Sequence, residues 1–378
     1  MILRWIAWLA GMAGFGALYL YVPNGWTLTL TAASVAVPLL SALLTLPAAR
    51  KLTAELSAPD TTSKGVPTVL LLTLRNRSIL PIPRVRAVLT AENRLTGERA
   101  ESRPVFSVGA RCTETQELSL STAFCGALRL KLTKMQASDM FGLLYFPLKC
   151  DLRTEMLTVP EVFEPRLLLP QPTFSASESE RYSETKPGYD FAESFQVRDY
   201  ADGDSPKQVH WKLSTKFDRL VVRDPGLPLD RRVLLLWERG CQTETPAQSD
   251  AMCSAVVSLS SALVKSGIAC RTVWNGADAD DCTAFEFREE TDVYDMLPKL
   301  LSAGKTDSCL AELYLSLYGT EKQDHVIYVT AGDADAAAAL CPEEKRTVLC
   351  CGENAEVGRV YAFRPENAAE ALCEIDLT

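Results

Sequence analysis

The chain has 378 residues, of which 47% are hydrophobic and 23% charged, with 39 Lys and Arg against 48 Asp and Glu for a formal net charge of −9. That length predicts about two or three domains, each with a core large enough to fold without staples. The charged fraction excludes a disordered or collagen-like chain, and the acidic balance argues against nucleic acid as a partner, which would need a basic surface.

The averages hide an asymmetry. No charged residue lies between Arg4 and Arg50. Setting Arg4 aside leaves 38 basic and 48 acidic residues in 50–378, a net of −10. The uncharged head predicts a transmembrane helix hairpin over 1–51, its spans running from Trp5 to Val22 and from Trp26 to Ala49, since a span takes about 20 mostly apolar residues. Pro23-Asn24-Gly25 supplies the turn, and Pro38 is expected to kink the second span. Trp5, Trp8, Tyr19, Tyr21 and Trp26 sit near the span ends, where amphipathic rings favour the membrane interface. A cleaved signal peptide fits less well: a second apolar span follows at once and no clean small-residue cleavage site separates the two. Arg4 before the first span and Arg50-Lys51 after the second, with no basic residue in the turn, place both termini in the cytosol by the positive-inside rule. The expected location is the inner membrane, with the bilayer as a partner and the body cytosolic.

Twelve cysteines include no C-x-x-C pair, and nine lie beyond residue 240, mostly in apolar runs such as Val348-Leu349-Cys350-Cys351. Reduced thiols used as small core residues are expected rather than a disulfide framework.

Residues 52–165 show short apolar runs punctuated by Gly97, Gly109, Gly126 and Gly142. Strands are predicted over 68–74, 84–91, 117–120 and 127–133, with Leu128, Leu130 and Leu132 alternating with Arg129 and Lys131. An antiparallel β-sandwich follows from this pattern. Residues 166–187, rich in Ser, Glu and Pro, are expected to be a linker. From 232 to 378 buried strands alternate with helices. Strands are expected at 232–237, 270–274, 326–330, 347–351 and 360–363. Helices are expected at 250–265 (capped by Ser249 or Asp250), 292–301, 307–318 and 334–340. This pattern predicts an α/β domain with a parallel sheet and helices on both faces.

Residues 188–231 form the most distinctive segment. It reads Arg198-Asp199-Tyr200-Ala201-Asp202-Gly203-Asp204, then Val209-His210-Trp211-Lys212, and closes on Leu220-Val221-Val222-Arg223-Asp224. It resembles domain-of-unknown-function family 58, whose hallmark is an Arg-x-Tyr-x-x-Gly-Asp run, then Ile/Val-x-Trp, then a basic-aliphatic strand. Arg198, Tyr200, Gly203, Asp204, Val209 and Trp211 match at the expected spacing. An Asp-x-Phe-Gly-Leu segment of that family is similar to Asp139–Leu143. The resemblance implies a helix hairpin, a β-rich domain and a von Willebrand factor A-like domain, with a MoxR-type AAA+ ATPase as partner. It implies an adaptor or scaffold acting in the assembly or regulation of another protein, not an enzyme.

Arg198, Asp199, Asp204, His210, Lys212 and Arg223 are too many charges for a plain core. Arg198 is expected to pair with Asp204, with Trp211 packed beneath the turn and donating its indole N–H. A structural staple and a docking surface are both consistent with that composition.

A von Willebrand-type domain holds its cation with an Asp-x-Ser-x-Ser motif after the first strand, where hard oxygen ligands suit Mg²⁺. Here Glu238-Arg239-Gly240-Cys241-Gln242 stands in that place. Glu238 is the degenerate metal-site position, Gly240 and Gln242 replace the serines, and Arg239 would repel a cation. No metal or cofactor is expected, and Glu238 is expected to be solvated. The two histidines are His210 and His325. A hydrolase pairing His210 with Ser214 or Ser205, at the envelope, is one alternative reading. An outward-facing adhesion module is the other.

Overall fold

The computed structural model describes residues 2–168, 182–201, 204–205, 208–228, 232–239, 244–276, 281–287, 289–306, 308–319, 325–332, 334–352 and 360–377. Two units divide the chain, Met1–Val159 and Pro160–Thr378.

In the first unit the uncharged head forms helices α1 (Ile2–Tyr21) and α2 (Gly25–Arg50). A capping box fixes the turn between them. Asn24 Oδ1 accepts from the Thr27 N–H at 2.9 Å, and the Asn24 N–H donates to Thr27 Oγ1 at 3.3 Å. Trp8 Nε1 donates to the Ser34 carbonyl and Thr31 Oγ1 to the Phe15 carbonyl, each at 3.1 Å, so the helices are tied at two levels. Both are long and apolar enough to cross a membrane. No residue of α1 is buried. Helix α2 runs as one helix through Pro38 and Pro47.

The strands of this unit are β1 (Leu52–Ser57), β2 (Thr61–Ser63), β3 (Thr68–Asn76), β4 (Ile82–Asn93), β5 (Arg99–Ser102), β6 (Val105–Val108), β7 (Thr113–Leu120), β8 (Gly126–Ser138), β9 (Tyr145–Leu148) and β10 (Leu152–Val159). One sheet has the order β1-β3-β7. The other has β2-β10-β8-β4-β5, with β6 on β4 and β9 on β8. All pairs are antiparallel except β10 with β2. The sheets share a core. Leu70, Leu72 and Leu74 of β3 meet Val85, Ala87 and Leu89 of β4 and Leu128, Leu130 and Leu132 of β8. The alternation along β8 does what its period of two predicts. Ala48 and Ala49 of α2 belong to the same core. The last turns of the second apolar helix therefore serve the sandwich.

In the second unit, β11 (Arg166–Leu168) corrects the expected linker. It pairs in parallel with β20 (Glu374–Asp376) near the end of the chain. Residues 169–181 of that linker lie outside the described residues. Then follow β12 (Tyr182–Asp199), α3 (Trp211–Phe217), β13 (Val221–Pro228), β14 (Arg232–Trp237), α4 (Pro246–Lys265), β15 (Ala269–Asn275), β16 (Cys282–Phe287), α5 (Glu290–Leu300), α6 (Leu310–Tyr318), β17 (His325–Thr330), β18 (Arg346–Cys351), β19 (Val360–Phe363) and α7 (Ala368–Ala371). Strands β12 and β13 form an antiparallel pair with several register shifts. A six-stranded sheet has the order β16-β15-β14-β17-β18-β19 and is parallel except at its β15–β16 edge.

Both faces of that sheet are covered. Leu234 and Leu236 pack in a core with Leu310, Ala311 and Tyr314 of α6. Thr272 is opposite Leu235 in the β14–β15 register and bonds Ser260 of α4 at 3.2 Å, so α4 lies on the other face. The strands consequently read as unbroken apolar runs. Helix α4 starts earlier than its apolar stripe suggests, because Thr245 and Gln248 form its capping box and Pro246 follows. Ser249 and Asp250, expected as caps, are buried inside the helix. The alanine-rich helix expected over 334–340 is a 3₁₀ segment, Ala334–Ala339, a form common in short connectors.

The described cysteines are free thiols, and several are core residues. Burial pushes the Cys270 thiol up to about 12, which keeps it protonated and unreactive. His325 is likewise a core residue, its Nε2 2.8 Å from Thr347 Oγ1.

One buried side chain organises the β4–β5 end of the sandwich. Asn93 Oδ1 accepts from the Leu95 and Thr96 N–H groups, at 3.0 and 3.3 Å, and its Nδ2 donates to the Cys125 carbonyl at 3.0 Å. Gly126 packs over it with φ +141°, and a Cβ there would stand 2.1 Å from Asn93 Oδ1. Asn93→Ala is expected to lower stability by about 1–3 kcal/mol. Gly126→Ala should disturb the same bonds, so chemical denaturation of the double variant should show less than the sum of the two losses.

Candidate functional site

The strand period places the central group of the distinctive segment. Gln196 and Arg198 are two residues apart on β12 and share a face, and Asp224 of β13 lies directly opposite Gln196. Gln196 Nε2 donates to Asp224 Oδ2 at 2.9 Å, and Arg198 Nε reaches both Asp224 oxygens at 3.2 Å. The other edge of the guanidinium makes a fork to Asp204: Nη1 donates to Oδ2 and Nη2 to Oδ1, both at 2.8 Å. Asp204 Oδ2 also accepts from the Ala201 N–H at 2.8 Å. One arginine thus bridges the β-ladder to the loop that leaves it.

The predicted Arg198–Asp204 pair forms. Asp224, the second carboxylate, is the partner that sequence reasoning left unassigned. The Arg198 guanidinium and the Ala201 N–H together hold the Asp204 carboxyl at about 2, and the two carboxylates raise Arg198 above its ordinary value. Gly203 lies outside the described residues.

A short helix follows the clamp and is fastened to β13. His210 caps α3, its Nδ1 accepting from the Leu213 N–H at 3.3 Å, while its own N–H donates to the Val221 carbonyl at 2.8 Å. Ser214 Oγ accepts from the Val221 N–H at 3.0 Å and donates to the His210 carbonyl at 3.1 Å. That hydroxyl fastens backbone to backbone and makes no bond to the imidazole. The Tyr200 N–H donates to the Leu220 carbonyl, and Asp199 pairs with Arg219 at 3.0 Å on the surface. Arg223 stands opposite Val197, on the other face of the ladder from Asp224.

Trp211 departs from expectation. It does not pack beneath the turn but is 65% exposed at the start of α3, and Phe217 at the end of the helix is 53% exposed. Val197 and Leu220 are also exposed, as are Lys212 and Lys216. An apolar residue in a tight motif reads as inward-facing, yet the inward positions of α3 belong to Leu213 and Ser214.

At the carboxyl end of the parallel sheet, Glu238 is half-buried rather than solvated. Its Oε2 accepts from Thr330 Oγ1 at 2.9 Å, across from β14 to β17. Gly240 and Gln242 lie outside the described residues. Among the described residues no cluster of three or more metal-ligating side chains occurs.

Beside Glu238 lies a group that sequence reasoning missed. Arg239 is fully buried and ion-paired to Glu244, also fully buried, at 3.2 Å. It donates to the Ala303 carbonyl at 2.9 Å, its backbone N–H donates to Asn275 Oδ1 at 2.8 Å, and its guanidinium lies 4.9 Å from the Trp237 ring centre. Ser249 of α4 hydrogen-bonds Glu244. The only sequence signal was an arginine at the end of a strand buried on both faces.

No family profile and no curated protein matches the chain. Among solved structures, the CARDB domain of the PF1109 protein from Pyrococcus furiosus, in complex with di-metal ions, is 14% identical, covering 29% of this chain and 87% of its own at a TM-score of 0.22. The alkylpurine DNA glycosylase AlkC of Pseudomonas fluorescens, bound to DNA containing an abasic site analogue, is 14% identical over 39% of this chain and 42% of its own, with a TM-score of 0.21. A β-glucosidase from Listeria innocua in complex with isofagomine is 12% identical over 26% and 16%, with a TM-score of 0.18. At these TM-scores the likenesses carry no argument.

Two outcomes test the charged groups. Asp204 has its folded pKa, about 2, below its ordinary value of 3.8. Its contribution to stability is therefore present in full above that ordinary value and lost as the pH falls through about 2. The carboxyl carbon shift of Asp204 should titrate with that low midpoint, and Arg198→Lys, which removes the fork, should move it back up. In the other group, Arg239→Met strands Glu244 in the interior and is expected to cost about 3–5 kcal/mol by denaturant unfolding.

Proposed function

We propose that the chain is a membrane-anchored adaptor that docks a protein partner on the β12–α3–β13 module. The observation that carries this reading is the pairing of a rigid base with an exposed top. Arg198 is held by two carboxylates, and the helix seated beside it presents Trp211 and Phe217 to solvent. Aromatic side chains on a preorganised surface are typical anchors of protein interfaces. Lys212 and Lys216 flank them in an otherwise acidic chain and would steer an acidic partner.

The hairpin supplies the anchor. Ile2, Leu3, Ile6, Leu9, Leu18 and Leu20 are exposed along α1, an apolar surface too extensive for a helix in water. Arg4, Arg50 and Lys51 orient it with the body in the cytosol, at the inner membrane. The largely parallel sheet with helices on both faces supports the von Willebrand factor A-like reading. The resemblance to domain-of-unknown-function family 58 supplies the partner class, a MoxR-type AAA+ ATPase, and the task of assembling or regulating a client protein.

The test is affinity capture of the full chain from solubilised membranes. Wild type should recover an AAA+ ATPase, and Trp211→Ala combined with Lys216→Glu should reduce recovery at least about tenfold, as for loss of a central anchor. Recovery of no such ATPase by wild type overturns the partner. Equal recovery by the variant overturns the docking surface.

A further inference from the structure

The Asp139–Leu144 loop of the first unit has no part in the reading above, yet it is among the most tightly specified segments of the sandwich. Asp139 is buried, and its carboxylate accepts from the Leu144 N–H at 2.8 Å and the Phe141 N–H at 3.3 Å. Its backbone N–H donates to the Leu144 carbonyl, and its carbonyl accepts from the Gly142 N–H. Gly142 has φ +69°, and a Cβ there would lie 2.1 Å from Arg4 Nη1. The loop is thus closed on itself, with a left-handed turn at residue 142 that favours glycine and with Arg4 packed against it.

So rigid a loop would be expected to turn its apolar side chains inward. Only Leu143 does so, while Met140 is 73%, Phe141 45% and Leu144 37% exposed. The loop is fastened to both helices of the hairpin. Trp5 Nε1 donates to the Leu143 carbonyl at 3.0 Å, and the Met140 N–H donates to Ser41 Oγ at 3.0 Å.

These two bonds fix its level. From Trp5 to the end of α1, and from the start of α2 to Ser41, is 16 residue steps each way, about 24 Å at 1.5 Å per residue. A hydrocarbon core is about 30 Å thick. Measured from the turn, the loop therefore stands within about 6 Å of the far edge of the hydrocarbon. A tryptophan and an arginine mark the same level, and exposed Leu39, Leu40 and Leu43 of α2 flank it in sequence around Ser41.

We infer that Met140, Phe141 and Leu144 seat in the interfacial layer of the lipid bilayer, so that the sandwich rests on the membrane through this loop as well as through α2. The inference depends on the hairpin reading. Its occupant is lipid because the exposed apolar loop continues the apolar surface of helices that already require lipid. A loop held by its own backbone bonds also loses no ordering entropy on insertion.

The experiment places p-benzoylphenylalanine, one site at a time, at Phe141, at Leu18 in α1 and at Val66 in the full chain. The chain is reconstituted in vesicles of phosphatidylethanolamine and phosphatidylglycerol, irradiated, and read for lipid adducts by mass spectrometry. Val66 is the aqueous reference. It precedes β3, whose far end pairs with Leu52 just after α2, about 27 Å of strand away. Lipid adducts at Phe141 and Leu18, at least about tenfold above Val66, are expected from a seated loop. Adducts at Leu18 with Phe141 no higher than Val66 overturn the loop and leave the hairpin standing. Adducts at neither Leu18 nor Phe141 overturn both. Crosslinks from Phe141 to protein in place of lipid overturn the choice of occupant.

Discussion

Helix α2 must satisfy two surroundings along one axis, and the first unit is built around that demand. Its outward residues Leu39, Leu40 and Leu43 are exposed, while Ala42, Thr45, Ala48 and Ala49 are buried. The inward set is small, so the helix backbone comes close to the strands, and Ala48 and Ala49 count among the core residues of the sandwich. A single residue, Lys51, separates the helix from β1. The sandwich core is consequently incomplete without the helix that the composition assigns to the membrane. Hairpin and sandwich belong to one compact unit for that reason.

The second unit meets a different constraint. Its parallel strands are buried on both faces, so polar groups at their ends meet protein partners in place of water. Arg239 does this in the parallel sheet, and Arg198 has a related part in the separate β12–β13 pair. Arg198 bridges two carboxylates at the margin of the β12–β13 ladder, and Arg239 joins the end of β14 to Glu244 and to the Ala303 carbonyl inside the fold. A guanidinium suits both places because its planar fork bonds along two edges at once. The first leaves its neighbouring helix exposed, and the second is sealed from solvent, which is why the former carries the functional reading.

Much of this was legible in the sequence, for identifiable reasons. A gap of 45 uncharged residues can hardly be anything but lipid-facing or deeply buried, and the unbroken run Val233–Trp237 announces a strand covered on both faces. The Arg198–Asp204 pair was readable because its members are six residues apart. Asp224 was not, since it lies 26 positions further along the chain and reaches Arg198 only through the register of the ladder. Arg239 reads in the sequence only as a charge that would repel a cation, and only the fold shows Glu244 beside it. Trp211 failed in the opposite sense: aromatic character predicted burial, and the short helix had no inward position left for it. The loop at Asp139 reads as a motif in the sequence, but its contacts to Trp5 and Ser41 span 138 and 99 residues of chain.

The near absence of slack between α2 and β1 has a mechanical consequence. With only Lys51 between helix and strand, and with its carbonyl accepting from the Arg77 N–H, the junction has no free hinge. Bilayers of different thickness change the tilt of the helices that cross them. With the hairpin in a bilayer as proposed above, such a tilt would be passed to the sandwich as a rotation, much as a mast moves with its hull, so that lipid composition becomes a variable the strands of the first unit can register.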